Sequence, residues 1–159
     1  MSRCCVALIL LMLIAGCQPA ETISGASNAP DVAFLNSANN ERISLPFSEA
    51  VRVGHLLFLS GMIGNEPGTP ELAPGGIQAE TRQALQNIEA TLERYGSSMG
   101  RVVKCTVFLA DMAEWSSMNE VYVRFFPGPK PARSALGTSG LALDARVEIE
   151  CIATVRSSG

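Results

Sequence analysis

Histidine occurs once in this sequence, tryptophan once and tyrosine twice. The lone His55 has no second histidine with which to form a catalytic pair, a triad or a multi-histidine metal set. It falls in a turn and is read as an exposed bystander. Basic residues are scarce too: 12 Lys and Arg stand against 15 Asp and Glu, a formal net charge of −3. A general phosphate-binding surface is therefore not expected, and nucleic acid is not an expected partner. The sequence has no Gly-rich phosphate loop ending in Lys-Ser or Lys-Thr, and no dinucleotide fingerprint. Only one apolar run approaches membrane length, which excludes a multi-span protein. An apolar fraction of 47% excludes disorder throughout. A length of 159 residues suits one domain with a real core.

The apolar run lies at the N-terminus. Arg3 carries the only charge in the first 20 residues, and Cys4 to Gly16 follow as 13 residues without a charge. A short positive segment before a short apolar one is the pattern of an export signal, and it is too short to span a bilayer comfortably. The run ends Leu13-Ile14-Ala15-Gly16-Cys17, which resembles a bacterial lipobox. Residues 1–16 are read as a lipoprotein signal peptide and Cys17 as the lipidated new N-terminus. Lipid chains would tether the protein to a membrane without a spanning helix. Gln18 after the cysteine points, by resemblance to other lipoproteins, to the outer membrane of a Gram-negative host. The expected location is the periplasm.

Cleavage would leave eleven basic residues against fifteen acidic ones, a net charge of −4. Only Cys105 and Cys151 would remain as possible thiols, too few for a disulfide framework or a four-ligand zinc site. Each sits in an apolar strand pattern and is read as a small buried hydrophobe. An oxidising compartment would allow one disulfide. No metal site and no cofactor are expected.

Residues 17–41 comprise Cys17 and a small, polar stretch without apolar period, read as a flexible tether. The folded domain is placed at 42–159. Ile43 to Leu45 suggest a short strand. Ala50 to Val53 and Leu56 to Ser60 flank Gly54-His55 and predict a hairpin. The proline-rich stretch 64–76 predicts a loop. Ile77, Thr81, Ala84, Leu85, Ile88, Leu92 and Tyr95 recur at helical spacing, and Gly96 ends that helix. Val102 to Leu109 predict a strand. Asp111 with Glu114 resembles a capping box. It opens a second helix marked by Trp115 as an anchor and by Met118, Val121, Tyr122, Phe125 and Phe126. Ala132 to Thr138 and Arg146 to Val155 predict the last strands. The order is that of an α+β domain with both helices on one sheet face. The other face carries a mixed row, Glu148, Glu150, Ile152, Thr154 and Arg156, compatible with self-association.

The stretch Pro127-Gly128-Pro129-Lys130-Pro131-Ala132-Arg133-Ser134 is the most distinctive. With Ser60-Gly61, Thr81-Arg82-Gln83-Ala84-Leu85-Gln86-Asn87-Ile88, Val103-Lys104-Cys105-Thr106-Val107-Phe108-Leu109, Met118-Asn119-Glu120-Val121-Tyr122 and Val147-Glu148-Ile149-Glu150, it resembles the RidA/YjgF family of imine deaminases. The resemblance runs from about Ile43 to Val155. It implies a chorismate-mutase-like α+β fold, with two helices on one face of a mixed sheet. It also implies a homotrimer with clefts between subunits. The implied activity is hydrolysis of 2-imino or enamine acids to 2-oxo acids and ammonia, without a metal or organic cofactor.

The residues suit that chemistry. A 2-imino acid needs a cation for its carboxylate, a proton carrier and a placed water. An arginine fork meets a carboxylate with two charge-assisted hydrogen bonds and stays charged. A carboxyl group in a partly dry cleft exchanges protons with imine or water. The resemblance assigns these roles to Arg133 and Glu148. It further assigns substrate positioning to Ser60, a pocket wall to Phe47, main-chain water positioning to Ala135, and a more structural role to Asn119. Phe47 stands where the family often has tyrosine, Ala135 where it often has cysteine, and Met62 where glutamine is common. Those changes remove a hydroxyl and a thiol, and keep the arginine and the glutamate. The alternative is a trimeric module that binds small carboxylates without turning them over. Ribonuclease, an old label for the family, is disfavoured by the charge and the single histidine.

Overall fold

The computed structural model describes residues 30–38, 41 and 45–156. The leader 1–16, Cys17 and the tether up to Ala29 lie outside these residues, as do Ile43 and Ser44 of the short strand read there. The strands are β1 (Val32–Leu35), β2 (Ala50–Val53), β3 (Leu56–Leu59), β4 (Met62–Ile63), β5 (Val102–Leu109), β6 (Ala132–Gly137) and β7 (Val147–Thr154). Two α-helices are described, α1 (Ile77–Arg94) and α2 (Trp115–Tyr122).

The strands form one sheet in the order β1-β2-β3-β7-β5-β6, with β4 also paired to β7. Only β5 and β6 run parallel, and α2 lies in the crossover that a parallel pair requires. The β2–β3 hairpin turns through Gly54-His55 as the sequence predicts. Gly54 takes φ 57°, a conformation that costs glycine nothing, and its N–H donates to Asp31 O at 2.9 Å.

Helix α1 follows its periodicity: Ile77, Thr81, Ala84, Leu85, Ile88 and Leu92 are buried. Its end is a Schellman closure. The Ser97 N–H donates to Leu92 O at 2.7 Å and the Gly96 N–H to Glu93 O at 3.2 Å, with Gly96 at φ 79°. The same core takes Val107 and Leu109 from β5, Val147, Ile149 and Ala153 from β7, and Met118, Tyr122 and Phe126 from α2 and the turn after it. The fold is therefore a mixed α+β sheet with its helices on one face.

Four expectations are corrected. The tether read over 17–41 contains β1, which pairs antiparallel with β2. The four residues between Asp31 and Asn36, Val32 to Leu35, are too few to show a period, and edge pairing decides their structure. The second helix is shorter than its apolar stripe. A 3₁₀ turn (Met112–Glu114) precedes α2 and another (Val123–Phe125) follows it. Asp111 does cap the first turn, accepting from the Ala113 N–H at 2.8 Å. Glu114 does not close a box, because its Oε1 accepts from Arg146 Nη1 at 2.6 Å. Trp115, read as an anchor, is 41% exposed, because it opens α2 ahead of the buried stripe.

The two domain cysteines are not separate thiols. Register sets Cys105 on β5 directly opposite Cys151 on β7, with Cα atoms 4.2 Å apart, and a disulfide joins them. Both are buried, and the bridge closes a sequence separation of 46. Disulfides over such separations stabilise mainly by restricting the unfolded chain.

The loop before α1 passes close to the helix. A Cβ on Gly64 would lie 2.5 Å from Glu80 Cα, so Gly64→Ala is expected to destabilise the domain by about 1–3 kcal/mol, read by urea unfolding. Reduction under native conditions, or a Cys105→Ala/Cys151→Ala variant, is expected to cost about 2–4 kcal/mol. An unchanged melting temperature in reductant would show that the bridge does not form in solution.

Candidate functional site

Arg133 lies on the edge strand β6, its Cα paired with that of Cys105. Cys105 faces the helices, so Arg133 does too. Its Nη1 donates to Asn119 Oδ1 on α2 at 2.8 Å. Its Cζ stands 4.5 Å from the centre of the Tyr122 ring, one helical turn further along α2. A guanidinium over an aromatic face is attracted by the ring quadrupole. Two contacts from one helix thus fix the plane of the fork. Among the described residues Asn119 is its only hydrogen-bond partner, and the remaining N–H donors of the five a guanidinium carries are unspent. Ala135 follows two residues on, on the same side and partly exposed.

Tyr122 is buried and its hydroxyl finds no partner among the described residues. Burial pushes that hydroxyl up to about 12 against the opposing charge of Arg133. The sequence reading placed Tyr122 in the core stripe and gave it no part in the site. Its spacing from Asn119 is the signal that was available, since residues three apart share a helix face.

A second cluster surrounds Ser60, where β3 breaks before β4. The Ser60 Oγ–H donates to Ser48 O at 2.7 Å, and the Ser60 N–H donates to Glu49 O at 3.1 Å. Phe47, beside Ser48, is 51% exposed and free to serve as a wall. Glu148 sits on β7 with its Cα opposite Ile63 and Phe108, half-buried between the buried Val147 and Ile149. Its carboxyl rests over Gly61: a Cβ there would lie 2.7 Å from Glu148 Cδ. Gly61, quoted from the sequence only as part of a motif, is therefore what gives this carboxylate its place. Burial, with the neighbouring Glu150 charge adding to it, pushes the Glu148 carboxyl above the ordinary carboxylate range. A raised carboxyl is a better proton acceptor than a free one.

The sequence-derived site residues thus fall into two groups. Arg133, Asn119 and Ala135 belong to the helix side of the sheet edge, joined there by Tyr122. Ser60, Phe47 and Glu148 gather around the β3–β4 break. Alternation along β7 points Glu148 to the face opposite the helices, so one chain does not bring Arg133 and Glu148 together. That opposite face is apolar for an exposed surface: Phe58, Leu56, Val103 and Leu136 are each more than a third exposed. Among the described residues no group of three or more His, Cys, Asp or Glu could hold a metal ion. His55 is exposed in its turn.

Gly61→Ala is expected to keep the fold while displacing the Glu148 carboxyl. The check is the Glu148 titration followed by NMR, which moves toward the ordinary value if the side chain is driven outward.

The family model described as Endoribonuclease L-PSP matches residues 39–155. Reactive Intermediate Deaminase A, chloroplastic, of Arabidopsis thaliana is 41% identical over 110 residues, 69% of this chain and 59% of that one. The chain thus spans less than two thirds of that relative's length. A Mus musculus protein named 2-iminobutanoate/2-iminopropanoate deaminase is 43% identical over 108 residues, 68% of this chain and 80% of that one. The crystal structure of E. coli TdcF with bound serine superposes with a TM-score of 0.66 at 35% identity, covering 70% of this chain and 90% of that one. On the family match, these identities and the shared fold, the chain belongs to the RidA/YjgF family.

Proposed function

We propose that the protein hydrolyses small reactive 2-imino or enamine acids to 2-oxo acids and ammonia, as a homotrimer tethered to a membrane outside the cytoplasm. The observation that carries the chemistry is Arg133, held flat by Asn119 and Tyr122 with its remaining donors free of partners among the described residues. Such a fork accepts a carboxylate in two parallel hydrogen bonds. Relatives named for 2-iminobutanoate and 2-iminopropanoate deamination, and one holding serine, bear small carboxylate ligands in their names.

Completion of the site needs a second copy. Arg133 and Glu148 leave the sheet on opposite faces, so the arginine of one chain meets the Ser60–Phe47–Glu148 cluster of a neighbour in a cleft between them. The exposed apolar side chains of the open face supply a reason to associate. In that cleft Arg133 holds the substrate carboxylate and Ser60 and Phe47 position its body. Glu148 takes a proton from a water as the water oxygen bonds to the iminium carbon. The C=N π electrons pass to nitrogen and give a carbinolamine. Glu148 then returns its proton to that nitrogen. The C–N bond breaks, the hydroxyl becomes the 2-oxo group, and ammonia leaves with the remaining proton as ammonium. In this reading the Ala135 main-chain carbonyl orients the water.

The lipobox at Cys17 supports the tether, and the buried Cys105–Cys151 bridge supports an oxidising compartment, where such bonds persist. The family's endoribonuclease description finds less support. The chain has one histidine, exposed in a turn, and an excess of acid.

The test generates 2-iminopropanoate with an amino-acid oxidase and follows its trapping as semicarbazone. The wild-type domain is expected to reduce the trapped fraction. Arg133→Ala is expected to raise KM about 10- to 100-fold, the worth of a charged hydrogen bond. Glu148→Gln is expected to lower kcat about 10²- to 10⁴-fold. Since Glu148 acts as the ionised base, kcat/KM falls as pH drops through its pKa. That acid limb should lie above the ordinary glutamate value and vanish in Glu148→Gln. Saturable carboxylate binding with no turnover would instead establish the binding module. Globomycin sensitivity of processing tests Cys17.

A further inference from the structure

Glu49 is buried, with 7% of its surface exposed, yet it is no part of the reaction just described. Its carboxylate accepts from the Ser37 N–H at 2.9 Å, from Tyr95 OH at 2.8 Å, from Thr91 Oγ1 at 3.2 Å and from the Arg94 guanidinium. Burial alone would push this carboxyl up, but the Tyr95 hydrogen bond, the Arg94 charge and the Ser37 N–H together hold it below its usual value. Its main chain is equally committed. The Glu49 N–H donates to Asn36 Oδ1 at 2.9 Å, and its carbonyl accepts from the Ser60 N–H at 3.1 Å. One residue therefore joins the exit of β1, the last turn of α1 and the break after β3.

We propose that Glu49 is a positioning residue for the Ser60–Phe47 half of the site, which it sets by clasping the segment after β1 to the end of α1. The inference rests on the reading that this cluster meets the substrate. Phe47 and Ser48 are the two residues before Glu49, and both hydrogen bonds that orient Ser60 end on Ser48 or Glu49. A shift of Glu49 shifts both acceptors at once. The chain from residue 45 to 49 has no strand or helix of its own to fix it. Its place comes from where the Glu49 carboxylate is held. A glutamine there would turn an acceptor into a donor among four donors and leave one of them unpaired in a buried site.

The experiment combines hydrogen–deuterium exchange with kinetics on the processed protein. In Glu49→Gln, peptides covering residues 45–61 are expected to exchange about tenfold faster, while those of β5 and β7 keep their rates. KM for 2-iminopropanoate is expected to rise several-fold with a smaller change in kcat. Tyr95→Phe removes one donor without disturbing the charge pair. It should show the same pattern more weakly, and it carries the test if Glu49→Gln does not fold. A merely structural role predicts a uniform rise in exchange and a lower active fraction at constant KM. Either that pattern or no local change overturns the inference. Absence of turnover in the wild-type protein would refute the deaminase reading instead, and the local exchange pattern would still decide on the clasp.

Discussion

Strand β7 is the constraint on which the molecule depends. It pairs with β3 and β4 along one edge and with β5 along the other. Once its register is set, every second side chain is committed to a face. Val147, Ile149, Cys151 and Ala153 enter the core beneath the helices, and Glu148 and Glu150 leave on the other side. A one-residue slip would drive two carboxylates into an apolar layer with no partners, which the fold could not sustain. The same rule governs β6 and sends Arg133 to the helix side of the edge.

Within one chain the two groups do not pair. Among the described residues Asn119 is the hydrogen-bond partner of Arg133, and Glu148 is raised by burial and by Glu150. Each of these candidate groups is oriented by its neighbours. Asn119 and Tyr122 hold the guanidinium, Gly61 makes room for the carboxyl, and Ser48 with Glu49 orients Ser60. Orientation settled before substrate arrives does not have to be supplied from binding energy.

Periodicity carried most of the secondary structure. The α1 stripe, the β2–β3 turn and the β-rich runs of β5 and β7 lie where local pattern put them, since each depends on neighbours a few residues away. Reading failed where a distant partner decided. β1 is four residues whose order comes from β2, and Glu114 follows the backbone's capping logic only until Arg146 offers a charged donor. Motif resemblance supplied Arg133, Glu148, Ser60 and Asn119 as candidates. It did not supply Tyr122, Gly61 or Glu49, whose parts arise from contact and close approach rather than from residue type.

The sequence by itself determined the family, the α+β order of elements and the candidate residues Arg133 and Glu148. These are properties of pattern and composition along the chain. Tertiary structure alone decided that Cys105 meets Cys151, that β1 closes the sheet's edge, and that arginine and glutamate stand on opposite faces. The reason is geometric: which face a strand residue takes, and which residue lies across from it, are fixed by register between segments far apart in sequence.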